Sequence, residues 1–116
     1  MLTYTIKKLS DDATYLRFYD GQVYIGSCYI SIKRFSKEPS YVYISDFIIL
    51  YEHRGKKLAK PMLSLIEKYA VSNNIWNMVL SVLKNNMIAI NLYRSYGFVV
   101  MDDMGTICDK YIKKIQ

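Results

Sequence analysis

The chain is poor in the residues that build metal centres and disulfide frameworks. It has two cysteines and one histidine among 116 residues. A lone His53 excludes a multi-histidine metal site, and with no Cys-x-x-Cys pair a structural zinc has no ligand set, so no metal is expected. Cys28 and Cys108, in a chain without a leader, are expected to be reduced thiols rather than a disulfide. No apolar run reaches the ~20 residues that span a bilayer. The opening MLTYTIKKLSDD has no apolar stretch followed by small residues, so neither a signal peptide nor a membrane partner is expected, and the expected location is cytoplasmic. Repeats, low-complexity segments and linkers are absent as well. Residues 1–116 are expected to form a single domain, large enough for one core with little to spare.

What is present is a folded composition: 52% hydrophobic residues, twelve tyrosines and a formal charge of +6. That charge calls for anionic partners, nucleic acid or a phosphorylated cofactor, and argues against a polycationic substrate. Scattered cations such as Lys7, Lys8, Lys113 and Lys114 read as a solvated surface.

The stretch from Tyr41 to Tyr69, YVYISDFIILYEHRGKKLAKPMLSLIEKY, organises the chain. β-Branched and aromatic residues predict a strand from Tyr41 to about Leu50. A basic loop, Arg54-Gly55-Lys56-Lys57, follows. Pro61 is tolerable only in the first turn of a helix, which sets the helix start near Leu58 or Ala59. Leu58, Met62, Leu65, Ile66, Tyr69 and Ala70 then form one apolar face. A helix start carries unpaired N–H groups and partial positive charge. With Arg54, Lys56, Lys57 and Lys60 gathered there, the loop is expected to hold a phosphorylated ligand.

Around it the pattern predicts strands over Leu2–Leu9, Ala13–Tyr19 and Gln22–Phe35. Asp20-Gly21 marks a hairpin of type I′ and Gly26 a bulge. Trp76–Leu83 reads as a buried fifth strand. A second helix capped by Asn85 or Asn86 runs to Tyr96, with Gly97 ending it and Phe98 packing back on Tyr93. Gly97–Met101, a turn at 102–105 and Ile107–Ile115 close the chain. The fourth and fifth strands flank one helix, which implies a parallel pair with a right-handed crossover. A ligand is expected at the mouth of that pair.

Two separated motifs carry a family resemblance. The segment ISDFIILYEHRGKKLAKPML resembles the coenzyme A pyrophosphate motif of the GNAT superfamily of N-acetyltransferases, Arg/Gln-x-x-Gly-x-Gly/Ala, here Arg54-x-x-Lys57-x-Ala59. The segment NMIAINLYRSYGF is similar to the family's Asn-x-x-Ala-x-x-x-Tyr helix and Gly-Phe, matched by Asn86, Ala89, Tyr93, Gly97 and Phe98. Tyr111 and Lys113 also fit its closing strand.

The resemblance implies a GNAT-like α+β (mixed α/β) fold. Its central, mostly antiparallel sheet would have about seven strands, a parallel pair of strands 4 and 5, and two main helices. It implies acetyl-CoA as co-substrate and transfer to a primary amine. Main-chain groups of Phe47, Ile48 and Ile49 would pair with the pantetheine arm. N–H groups of Gly55, Lys56, Lys57, Leu58, Ala59 and Lys60 would hold the pyrophosphate, with Arg54 adding charge. Asn86 would help hold the cofactor arm, and Tyr93 would protonate the coenzyme A thiolate.

The chain departs from the family at three points. Lys57 replaces the commonest loop glycine; it is expected to bind if its backbone stays helical. Family members carry a glutamate base either eleven residues before the loop arginine or five before the asparagine; here these positions are Tyr43 and Ser81. Asp46, expected to face away from Tyr43 in a regular strand, reads as structural, and Glu52 and His53 as surface residues. A water relay held by Ser45, Ser81 or backbone carbonyls, or no dedicated base, remains open. Finally, the two helices that usually separate the first strands are missing. The acceptor side would be open or walled by a second subunit, making a homodimer one arrangement, and the acceptor is a small-molecule or protein amine. Competing functions are a catalytically degenerate acyl-CoA-binding sensor or interaction module, and a nucleic-acid-binding domain. The last is disfavoured because the tyrosines alternate as core residues do and the cations are dispersed.

Overall fold

A computed structural model describes residues 1–103 and 107–115. Seven strands and two helices follow the predicted order. They are β1 (Leu2–Ser10), β2 (Ala13–Asp20), β3 (Val23–Lys33), β4 (Tyr41–Ile49), α1 (Ala59–Ser72), β5 (Asn77–Leu83), α2 (Met87–Tyr96), β6 (Val99–Asp103) and β7 (Cys108–Lys114). They form one sheet in the order β1-β2-β3-β4-β5-β7-β6. Every neighbouring pair is antiparallel except β4 and β5. The α+β class, the parallel pair and its crossover helix are as expected.

Three local expectations are corrected. Asp20 pairs with Val23, so the β2–β3 turn is Gly21-Gln22 rather than Asp20-Gly21. Only Gly21 has positive φ (63°), which fits type II′ with glycine first, not type I′. The strand β6 runs on through Asp103, so Asp102 and Asp103 belong to a ladder and not to a turn; the rest of that expected turn lies outside the described residues. Asp46 sits in a bulge: opposite Ser27 to Tyr29 of β3, β4 supplies Ser45 to Ile48, and Asp46 has φ 49°. Simple alternation therefore does not give its direction.

Both helices pack on one face of the sheet. Leu16, Phe18, Cys28, Ile30, Val42 and Ile44 of the strands meet Met62, Leu63, Ile66 and Tyr69 of α1 and Ile90 of α2 in one core. A buried Thr14 Oγ1–Tyr69 Oη hydrogen bond of 2.8 Å ties β2 to α1. Lys113 of β7 pairs with Glu67 of α1 at 3.2 Å and lies over the Tyr96 ring, joining both helices to the sheet. Tyr111 is buried in the core.

The other face has no helix on it among the described residues. Asp11 and Asp12 alone join β1 to β2, where Ser10 pairs with Ala13. Tyr15, Tyr19, Tyr24, Tyr29, Tyr41 and Tyr43 alternate onto this face, half-buried or exposed. Half of the tyrosines thus belong to an open sheet surface and not to the core their alternation suggested. Sequence alternation gives a strand two faces but does not say which is covered.

Candidate active site

The parallel pair is short. Only Val42↔Met78 and Tyr43↔Val79 are in register between β4 and β5. β5 continues to Leu83 paired with β7 on its far side, while β4 bulges away toward β3. The two strands split just past Tyr43 and Val79. A cleft of about 420 Å³ opens in the split, and it is lined by Phe47, Ile48, Ile49, Arg54, Asn86, Ala89 and Tyr93 among others. An extended chain of amides can add to the exposed edge of β4 there.

Past β4 the chain makes a short 3₁₀ turn, Tyr51–His53, and then a tight turn at Arg54-Gly55. Arg54 (φ −71°, ψ 152°) and Gly55 (φ 78°) have the central dihedrals of a type II turn, which needs glycine second. Arg54 Nε donates to the Ile49 carbonyl at 2.9 Å, and the guanidinium stacks on Tyr51. This fixes the basic loop to the end of β4.

Helix α1 then starts in an unusual way. Its N-cap is Leu58, which offers no side-chain cap, and its first turn holds no acidic residue. Among the described residues nothing accepts from the N–H groups of Lys57 to Lys60. Cations at a helix N-terminus oppose the dipole. An anion seated on those N–H groups would cancel both the missing cap and the repulsion. Lys57, Ala59 and Lys60 line a second hollow of about 370 Å³ that shares Leu92 with the cleft. Lys56 and Leu58 line a different hollow with Asp20 and His53, and Lys56 Nζ lies 3.4 Å from His53 Nδ1. Gly55 is the second residue of the turn that leads into this stretch. Lys57 has φ 59°, so its backbone is left-handed and not helical as expected.

Helix α2 contrasts with α1. Asn86 Oδ1 accepts the Ala89 N–H at 3.2 Å, an ordinary N-cap. Its amide nitrogen has no acceptor among the described residues, and the residue is part of the cleft wall. At the other end Phe98 N–H bonds to the Tyr93 carbonyl at 2.9 Å and Gly97 N–H to Arg94 at 3.0 Å, with Gly97 at φ 109°. This is the Schellman arrangement, and its apolar contact is Phe98 against Tyr93, ring edge to face at 5.6 Å. Tyr93 is therefore held by both main chain and ring. Burial, and next to it the Cys28 thiol, push its hydroxyl up to about 12, so it stays protonated at neutral pH.

Sequence reasoning weighed Tyr43 and Ser81 one at a time and missed that they meet. Tyr43 Oη donates to Ser81 Oγ at 2.7 Å across the mouth of the split, on the open face. Their parity on two adjacent parallel strands was the available signal. Ser45 follows on the same face.

These features define a mixed-sheet α+β domain whose parallel pair parts to form a ligand-sized cleft beside the crossover helix. A family model of the Acetyltransferase (GNAT) family matches residues 2–98, and the chain belongs to that family. It is 33% identical over 55 residues to the uncharacterized N-acetyltransferase YobR of Bacillus subtilis, covering 47% of this chain and 22% of that one. Its fold is similar to that of the PaiA N-acetyltransferase of Thermoplasma acidophilum in complex with coenzyme A. The TM-score is 0.72 at 23% identity, over 89% of this chain and 61% of that one. A GNAT family acetyltransferase of Elizabethkingia anophelis with acetyl-CoA bound matches over 98% of both chains, with TM-score 0.78 at 10% identity. The chain thus spans about a fifth of the YobR sequence, yet nearly all of the last structure.

Proposed function

We propose that the chain is an N-acetyltransferase that moves the acetyl group of acetyl-CoA to a primary amine by direct attack. The observation that carries this reading is the uncapped, cationic start of α1 opening beside split strands. Bound there, acetyl-CoA supplies an activated acetyl thioester. Main-chain donors from Gly55 to Lys60 receive its pyrophosphate, Arg54 adds charge, and the edge of β4 at Phe47 to Ile49 takes the pantetheine amides. The free amide nitrogen of Asn86 donates to the same arm.

The reaction bonds the amine nitrogen to the acetyl carbon and breaks the carbon–sulfur bond. Nitrogen loses one proton and sulfur gains one. Tyr93 is the group on the helix side of the cleft that can serve the sulfur. With its pKa near 12, full transfer to a thiolate of pKa about 8.5 is uphill by roughly 5 kcal/mol. Tyr93 therefore acts first as a hydrogen-bond donor to the growing negative charge; as its proton passes to sulfur, the proton lost by the amine restores the hydroxyl through solvent.

Titration calorimetry with acetyl-CoA and turnover of an amine panel test this together. The expected result is saturable binding and acetylation, with Tyr93→Phe losing about 100-fold in kcat while its affinity stays within about twofold. Unimpaired Tyr93→Phe would remove the acid assignment. Binding without transfer to any amine would select the degenerate acyl-CoA sensor, and no binding would end the reading.

A further inference from the structure

The open face of the sheet leads directly to the Tyr43–Ser81 pair at the mouth of the cleft. Its strand positions carry more cations than carboxylates. The described cations alternating onto it are Lys7, Arg17, Lys33, Lys110 and Lys114. Of the carboxylates at strand positions, Asp20 and Asp109 project from the helix face, Asp103 stands opposite Asp109, and Asp102 stands opposite Lys110 in the β6–β7 ladder. Two other acids lie at the margins: Glu38 stands at the rim beside Tyr41 and Lys114, and Asp46 is exposed in the bulge.

Between these cations lie tyrosines held in place rather than loose. Tyr15 and Tyr29 pack with ring centroids 4.8 Å apart, Tyr19 and Tyr24 at 5.8 Å, and Arg17 lies over Tyr15. Ser27, Tyr24 and Arg17 gather round the Tyr15 hydroxyl and lower its pKa. Rigid amphipathic rings interleaved with hydroxyls and cations give contact area at little cost in conformational entropy.

Resting on the acetyltransferase reading, we propose that this face binds the acceptor, and that the acceptor is the free N-terminus of an extended acidic peptide. Charge complementarity selects the acidic partner, since four of the five strand cations, Lys7, Arg17, Lys33 and Lys114, have no carboxylate opposite them in the ladders. The hydroxyl pair selects the amine. Tyr43 and Ser81 can orient a neutral amine and pass its proton on to water, but they cannot hold a strongly basic amine deprotonated. Near pH 7.5 roughly a third of an α-amine is neutral, against about one in a thousand lysine side chains. The peptide would lie across β2, β3 and β4, its N-terminus reaching the split between Tyr43 and Ser81.

The test uses the whole chain and short peptides that are acidic, neutral or basic, each with a free N-terminus, and an acidic N-blocked peptide with one lysine. Two readouts are taken: acetylation, and binding of the labelled peptides by anisotropy with coenzyme A present or absent. The acidic free-N-terminus peptide should have a kcat/KM about tenfold above the basic one, a gain that shrinks in high salt. The N-blocked lysine peptide should be acetylated far more slowly. Arg17→Glu and Lys110→Glu should each weaken acidic-peptide binding and kcat/KM severalfold while the KM for acetyl-CoA is unchanged; Arg17→Gln and Lys110→Gln should do so less.

A basic or lysine-bearing peptide that is preferred would overturn the proposal, as would indifference to charge reversal. Tight single-stranded nucleic acid binding that displaces the acidic peptide would also overturn it, and so would a dimer burying this face. Because peptide binding is read without turnover, loss of acetyl-CoA binding would count against the enzyme reading and not against the docking surface.

Discussion

At the scale of single residues, Lys57 is where the family pattern and this chain part, and the backbone says why glycine is usual there. An L-residue in the left-handed region costs roughly 1–2 kcal/mol, which glycine avoids. Lys57 adopts φ 59° regardless. Part of the gain from glycine is lost to its freer unfolded chain. Lys57→Gly should therefore stabilise the fold by about 0.5–1 kcal/mol, read as a higher urea midpoint. It should also weaken acetyl-CoA binding a few-fold, because a cation leaves the hollow at the start of α1. A lower midpoint would show that the left-handed placement is wrong. The motif marked this position in the sequence, but its conformation was not legible. A lysine carries no sign of φ, whereas Gly97, expected at the end of α2, announced its positive φ.

At the scale of elements, both helices and all seven strands were legible from the pattern; the helices and most strands bury a face against the same core, whereas β1 is half-buried or exposed and Val99, Val100 and Met101 of β6 are exposed. Asn86 and Gly97 bounded α2 by their capping chemistry, and Pro61 bounded the start of α1. The bulges were harder. Gly26 pointed to one beside it, and the ladder shifts there, where Tyr19 pairs with Tyr24 after Phe18 pairs with Gly26. The second bulge, at Asp46 and Phe47, has no glycine and left no mark, so alternation could not give Asp46 its direction. The two are connected through Gly26. A Cβ there would overlap the Ile48 carbonyl oxygen and press on Met62 Cε at 3.0 Å. Glycine at 26 lets the bulged part of β4 lie close to β3, and that bend opens the cleft. Gly26→Ala should cost about 1–3 kcal/mol and, by pushing Ile48 outward, lower acetyl-CoA affinity more than any exposed-loop control does. Unfolding and calorimetry on the same preparation would refute the link if the variant lost stability but bound normally.

At the scale of the whole molecule, the core is one-sided. Composition could not reveal this, since tyrosine counts as hydrophobic whichever face it occupies. One consequence is that the ionisable groups of the interior are all on the helix side. Burial pushes the Cys28 thiol up to about 12, and burial first, with Cys28 second, does the same for Tyr93. Tyr96 is raised to about 12 chiefly by burial and then by Glu67, but it is the more exposed of the two tyrosines and counts for less. Each folded-state pKa lies above its unfolded value, so the neutral form is the one folding favours. That stability is intact below about pH 8, where neither state ionises. It is lost as pH rises toward 12, because the unfolded chain gives up these protons first. Cys28 and Tyr93 together should remove on the order of several kcal/mol by the end of that range. The melting temperature should hold steady from pH 7 to about 8, begin to slip as unfolded thiols ionise, and fall steeply above 10. Cys28→Ala, though less stable at neutral pH for want of the buried sulfur, should show a shallower alkaline decline. A parallel decline in both proteins would mean that the thiol is not shielded by the core, and that the packing of β3 against α2 near Tyr93 is looser than described.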